Sequence, residues 1–149
     1  MKNVYDDKKI KQMLADVEKR MRDLFYQKLD AIILYGSYAR GDFTYDSDVD
    51  IMVLVDEKED DLKKHDDKIT DIMVDLSLKY DIVISLYVQS VQNYNKYVKM
   101  LPFYKNVQKE GIRVYGWFQN AVDFIDAMYE YVKKKLIDVY WNIIINSLK

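Results

Sequence analysis

Three apolar runs, residues 31–35, 51–55 and 82–88, set the terms on which this chain can fold. Each is long enough for one buried strand and far short of the roughly 20 residues that a membrane-spanning helix needs. Between and around them the apolar period changes. Ile10, Met13, Leu14, Val17, Met21, Leu24, Phe25 and Leu29 recur every three or four residues, the stripe of an amphipathic helix, and Leu62, Ile69, Ile72, Met73 and Leu76 mark a second. A helical stretch over 91–100, a helix start at Pro102 and a short extended segment over 112–115 after Gly111 follow. Strands separated by helices predict an α/β (α+β) chain: a mixed sheet of about four strands, helices packed on one side of it, and a terminal helix.

Half of the 149 residues are apolar, enough to build one core. Residues 1–116 read as that domain. Residues 117–149 read as a single C-terminal amphipathic helix, striped by Ala121, Phe124, Ile125, Met128, Val132, Leu136, Val139, Tyr140, Ile143 and Ile144. At 1.5 Å per residue it would run about 48 Å. A domain of this size is only about 40 Å across, so the helix bends or overhangs. It either folds back on the domain's own sheet or docks on a partner, a second copy included. Trp117, Phe118, Tyr140 and Trp141 fit core or interface packing.

The formal charge is −2 and the isoelectric point about 5.4, so the chain has no basic footprint and a nucleic-acid partner is not expected. The absence of cysteine excludes disulfides, thiolate catalysis and thiolate-bound zinc. The charged start MKNVYDDKKIKQ has no apolar core of a signal peptide. The expectation is a cytoplasmic protein. His65, between Lys63, Lys64, Asp66 and Asp67, reads as a surface residue.

Chemistry concentrates between residues 36 and 50. A strand stops at Gly36 and Ser37 opens a helical turn, a junction that presents free backbone N–H groups and suits a phosphate. Gly36 permits close approach and the Ser37 hydroxyl adds a donor. Asp48 and Asp50 then stand at i and i+2 on a strand, both carboxylates on one face, about 6.7 Å apart at the backbone. Such a pair can hold two divalent cations about 3.5–4 Å apart, and hard oxygen ligands select Mg²⁺ or Mn²⁺ over zinc. Gly36 and Gly41 have the spacing of half a P-loop, but Asp42-Phe43 stands where Lys-Ser/Thr is required. A bare Asp-x-Asp is usually a solvated surface feature. Here it opens Ile-Met-Val-Leu-Val, where an unpaired charge is costly.

The run Gly36-Ser-Tyr-Ala-Arg-Gly-Asp-Phe-Thr-Tyr-Asp-Ser-Asp-Val-Asp-Ile51 resembles the signature of the DNA polymerase β-like nucleotidyltransferases, in which Gly-Ser is followed ten residues on by Asp-x-Asp. Weaker similarity extends from about Leu29 to Tyr115, and the small size is similar to the minimal nucleotidyltransferases, among them antitoxins paired with HEPN-domain ribonuclease toxins. The resemblance implies a nucleotidyltransferase core and a third carboxylate on the next strand. Asp81 fits that place, with Asp75 as its competitor on the helical pattern. By the resemblance Gly36 and Ser37 hold the β- and γ-phosphates of ATP. Arg40 adds charge there or is a structural ion-pair partner. Asp48 and Asp50 bind both Mg²⁺ ions, and Asp81 binds one of them and takes the proton of the incoming hydroxyl. Tyr38 and Tyr45, inside the loop, are candidates to line the nucleotide pocket. The implied activity is AMP transfer to a hydroxyl, with a tyrosine of a HEPN-type toxin as the leading acceptor. The alternatives are an antibiotic-like small molecule and a non-enzymatic module that neutralises its partner by occlusion.

Overall fold

The structure is a computed structural model that describes residues 7–115 and, beyond them, positions 129, 132, 133, 136, 137 and 147, all helical. The chain divides into two compact units, Met1–Gly116 and Trp117–Lys149. Most of the expected C-terminal helix, with Trp117, Phe118, Tyr140 and Trp141, lies outside the described residues.

The first unit runs α1 (Lys8–Phe25), β1 (Leu29–Tyr35), α2 (Gly36–Arg40), β2 (Val49–Val55), α3 (Glu59–Leu62), α4 (Asp66–Tyr80), β3 (Ile84–Ser90), α5 (Val91–Tyr97), α6 (Pro102–Glu110) and β4 (Ile112–Tyr115). Asp7 caps α1, its carboxylate accepting from the Lys9 and Ile10 amides at 2.8 and 3.3 Å. The four strands form one mixed sheet in the order β3-β2-β1-β4. β1 is antiparallel to both β2 and β4. β2 and β3 are parallel, which requires the long helical crossover between them.

Strand alternation divides the core in two. Ile32, Leu34, Val49, Ile51, Val53, Val55 and Ile84 face the layer of α1 and α4, meeting Ile10, Met13, Val17, Met21, Ile72 and Leu76. Ala31, Ile33, Met52 and Leu54 face the other way, onto Tyr94, Val98, Tyr104 and Val107 of α5, α6 and the turn between them. Helices therefore cover both faces, not one. The sequence expectation missed this because α5 and α6 are short and carry few aliphatic residues. Their buried anchors are tyrosines, which composition bias disguises.

Two further expectations change. β3 begins at Ile84, not Asp81. Asp81 instead ends α4 in a left-handed conformation (φ 48°, ψ 50°), its amide bonded to Ser77 O. Asp tolerates that conformation better than most residues, and the Ser77 hydroxyl, accepting from the Ile84 amide at 3.0 Å, fixes the turn that launches β3. His65 is not a plain surface residue. Its ring lies edge-on to Phe25, 5.2 Å between centroids, and Nε2 is 3.4 Å from Glu57 Oε2. No helix among the described residues is long and apolar enough to cross a membrane.

Gly111 joins α6 to β4 where no side chain fits. A Cβ there would stand 2.3 Å from the Val107 carbonyl oxygen and 2.6 Å from Ile33 Cγ2. Gly111→Ala must shift the strand or the helix end. The expected loss is about 2 kcal/mol of unfolding free energy, read by urea denaturation; an unchanged midpoint would contradict the packing described.

Candidate active site

The site sits where β1 stops. Gly36 turns the chain with φ +72°, a conformation that disfavours every L side chain, and α2 closes one helical turn later at Gly41, also left-handed. Tyr35 pairs with Asp50 across β1 and β2, so the Gly36 turn overhangs the Asp50 carboxylate. A Cβ on Gly36 would lie 2.6 Å from Asp50 Oδ2. Two separate demands, the turn and the carboxylate, thus meet at one glycine.

Asp48 stands just before β2 and is exposed, while Asp50 on β2 is half-buried. Burial, and then repulsion from Asp48, push the Asp50 carboxyl above the usual carboxylate range, with Arg40 acting weakly the other way. Asp48 and Asp50 are therefore brought together. Arg40 is a structural ion-pair partner, its Nε 3.1 Å from Asp42 and its Nη1 3.9 Å from Glu110, yet its field still reaches Asp50.

Asp81 does not join Asp50. The β3 residue registered beside Asp50 is Ser85, and Asp81 precedes it by four residues on an exposed turn. It lines an open hollow of about 410 Å³ with Tyr45, Asp46, Ser47, Asp48, Ser77 and Leu78, so its neighbourhood is that of Asp48. Asp75 lies on exposed α4 and pairs with Arg20, away from the site. Among the described residues no three His, Cys, Asp or Glu side chains group as a metal site. Two carboxylates suit Mg²⁺ nonetheless, because that ion keeps waters and takes its remaining oxygens from substrate phosphates.

Of the two loop tyrosines, Tyr38 is buried and stacks on Phe43 at 4.2 Å, so it belongs to the core. Tyr45 is 94% exposed. Aromatic residues that the sequence reading passes over share this face, Tyr35 registered beside Asp50 and Tyr87 registered beside Met52. Tyr35 and Tyr87 both meet Phe103 edge-to-face, at 5.6 and 6.0 Å. Burial, followed by the Asp50 charge and Tyr87, pushes the Tyr35 phenol up to about 12. The sequence signal for Tyr87 is the alternation of Ser85, Tyr87 and Gln89 with Ile84, Leu86 and Val88.

The raised Asp50 carboxyl binds a proton more readily folded than unfolded. Its contribution is stabilising below the ordinary carboxylate range and is lost as pH rises through the raised value. Asp50→Asn should therefore raise the melting temperature of the metal-free protein at neutral pH by about 2 °C, and the gain should vanish near pH 4. Gly36→Ala should do the reverse, lowering it at every pH because strain and collision are not titratable. Scanning calorimetry across pH separates the two.

The nucleotidyltransferase domain family matches residues 14–115, which take in all four strands. Two proteins of Methanocaldococcus jannaschii whose names propose protein adenylyltransferases are similar to the chain. MJ0141 is 39% identical over 103 residues, 69% of this chain and 96% of the relative. MJ0604 is 34% identical over 110 residues, 74% and 98%. Among solved structures, the chain is similar to a toxin-antitoxin chain crystallised with AMP-PNP, 22% identical, with a TM-score of 0.49 over 88% of this chain and 98% of that one. A second is a chain of the tri-AMPylated Shewanella oneidensis HEPN toxin in complex with MNT antitoxin, 19% identical, TM-score 0.45, over 90% and 98%. With a family match that spans the sheet and the Gly-Ser and Asp-x-Asp pairs, and relatives matched over nearly their whole length, the chain belongs to the nucleotidyltransferase domain family.

Proposed function

We propose that this nucleotidyltransferase moves AMP from ATP, with Mg²⁺, to a hydroxyl on a protein. The observation that carries the reading is the contact of Gly36 with Asp50: a backbone able to cradle phosphate lies against a carboxylate pair with no side chain between them. The Gly36 and Ser37 amides and the Ser37 hydroxyl hold the β- and γ-phosphates. Asp48 and Asp50 hold the divalent cations, Mg²⁺ or Mn²⁺. When bound, those ions neutralise the triphosphate and the leaving pyrophosphate. Arg40, tethered by Asp42 and Glu110, keeps positive charge near the phosphates and favours ionised Asp50. Asp81 adds outer negative charge from its turn on the Asp48 side.

The two relatives' names, which propose protein adenylyltransferases, support a protein acceptor. The small size of the chain, similar to that of the minimal nucleotidyltransferases that include antitoxins paired with HEPN-type toxins, favours a tyrosine of such a toxin as acceptor, with this chain as its antitoxin. In that role ATP and the toxin are the partners.

Incubation with α-labelled ATP, Mg²⁺ and such a toxin should place label on the toxin. Asp48→Ala should lower that transfer by about 10²-fold or more, as removal of a charge-stabilising group does. Asp81→Asn should lower it by less, about tenfold, the low end of the loss for a residue that acts on a metal site from outside its ligands. Toxin neutralisation that survives Asp48→Ala without label would favour occlusion instead.

A further inference from the structure

β1 and β2 run antiparallel, so their pair has a second end. There Leu29 stands beside Val55, while Tyr35 and Asp50 mark the end that holds the candidate active site. The two ends are about 20 Å apart at 3.3 Å per strand residue. Lys28 leads into β1 at the far end and Glu57 follows β2, with the Asp56 amide donating to the Lys28 carbonyl at 2.7 Å. These two side chains and His65, from the turn that precedes α4, border a hollow of about 520 Å³ walled by Leu24, Phe25 and Tyr26.

The Glu57 side chain is only 11% exposed, and its two oxygens differ. Oε1 accepts from the Lys28 ammonium. Oε2 is buried and accepts no hydrogen bond among the described residues, a condition that costs free energy until a partner satisfies it. His65 Nε2 stands 3.4 Å away. That spacing is too long for a charge-assisted hydrogen bond, which closes to about 2.7–2.9 Å. It is instead the edge length of a zinc tetrahedron. An imidazole nitrogen about 2.05 Å from the ion and a carboxylate oxygen about 2.1 Å from it, at about 109°, stand about 3.4 Å apart. The imidazole is steadied by Phe25, whose ring it meets edge-on at 5.2 Å. Lys28 on Oε1 matches the outer hydrogen bond that metal-bound carboxylates keep, and it leaves Oε2 as the donor atom. Packing alone accounts for the ring contact with Phe25, but not for a buried carboxylate oxygen held short of a bond.

We propose that Glu57 Oε2 and His65 Nε2 are two ligands of a second metal site, one for a transition ion of the Zn²⁺ class, with water from the adjoining hollow completing the shell. One imidazole with one carboxylate selects Zn²⁺ over Mg²⁺, which asks for an octahedron of oxygens. The site stands apart from the Asp48–Asp50 pair and does not depend on AMP transfer. Its ion ties the segment after β2 to the start of α4, within the crossover that makes β2 and β3 parallel. Binding that favours the folded chain in this way stabilises it.

His65 is the only histidine in the chain, so its ring resonances report on the site without ambiguity. The test adds ZnCl₂ to the tag-free, chelator-treated full chain in the absence of ATP. Zn²⁺ at about 100 µM should shift both ring protons, and Mg²⁺ at about 10 mM should not. The same Zn²⁺ should raise the melting temperature by at least about 3 °C. Glu57→Gln, and the shorter Glu57→Asp, should each weaken binding at least about tenfold, the loss that even an outer partner of a metal site causes. His65→Gln should abolish the thermal gain, and Asp50→Asn should keep it. No ring shift at that Zn²⁺ concentration, an equal response to Mg²⁺, or binding unchanged in either Glu57 variant would overturn the proposal. So would a thermal gain that disappears with Asp50→Asn and survives His65→Gln.

Discussion

Everything in the site depends on one missing atom. With Gly36 at φ +72° and the space beside it filled by Asp50 Oδ2, the end of β1 and the start of β2 come closer than any Cβ would permit. That approach sets a stretch of backbone N–H groups, which favour anions, against two carboxylates, which repel them. In water such neighbours have no reason to be held together. In the proposed reading they are two halves of a site whose ligand is itself a pair: a cation would satisfy the carboxylates and a phosphate chain the amides.

The two faces of the sheet divide the work. The α1/α4 face is filled by aliphatic side chains, with Ile32, Leu34, Val49, Ile51 and Val53 essentially inaccessible, and it supplies most of the apolar burial. The opposite face is aliphatic only toward Leu54 and Ala31. Toward Asp50 it turns aromatic and polar, and α6 closes just part of it. Asp50 can therefore be half-buried without being stranded: the strand beneath is anchored from behind, and the front stays open to a ligand. The cost is visible in the carboxyl, pushed upward by burial and by Asp48. An ionised Asp50 therefore carries a cost in the folded chain, set by burial and by its neighbour Asp48.

The sequence made the Gly36–Asp50 pair legible because its signals are local. A glycine that ends an apolar run and a charge inside a strand are both read within a few residues. The strand order, with β2 between β1 and β3, was not written in any such window, nor were the buried tyrosines of α5 and α6. Asp81 shows the limit most clearly. Tyr80-Asp81-Ile82 looks like the opening of a strand, because the apolar run begins there. What decides its place is the end of α4, which needs a residue able to turn left-handed and a Ser77 hydroxyl to catch the Ile84 amide. The strand starts three residues late, and the register that follows hands the place beside Asp50 to Ser85.

That shift of register changes what the sheet presents beside Asp50. A strand that began at Asp81 would carry its carboxylate at the edge of the sheet; the observed start places that acid on a turn and registers the Ser85 hydroxyl beside Asp50 instead. Farther along the same face Phe103 and Tyr87 are fixed by ring contacts and by the Tyr104 hydrogen bonds to Tyr87 and Gln89. Two elements thus shape the face next to Asp50 for different reasons: Phe103 is held from α6, while Ser85 is placed by a turn that ends α4.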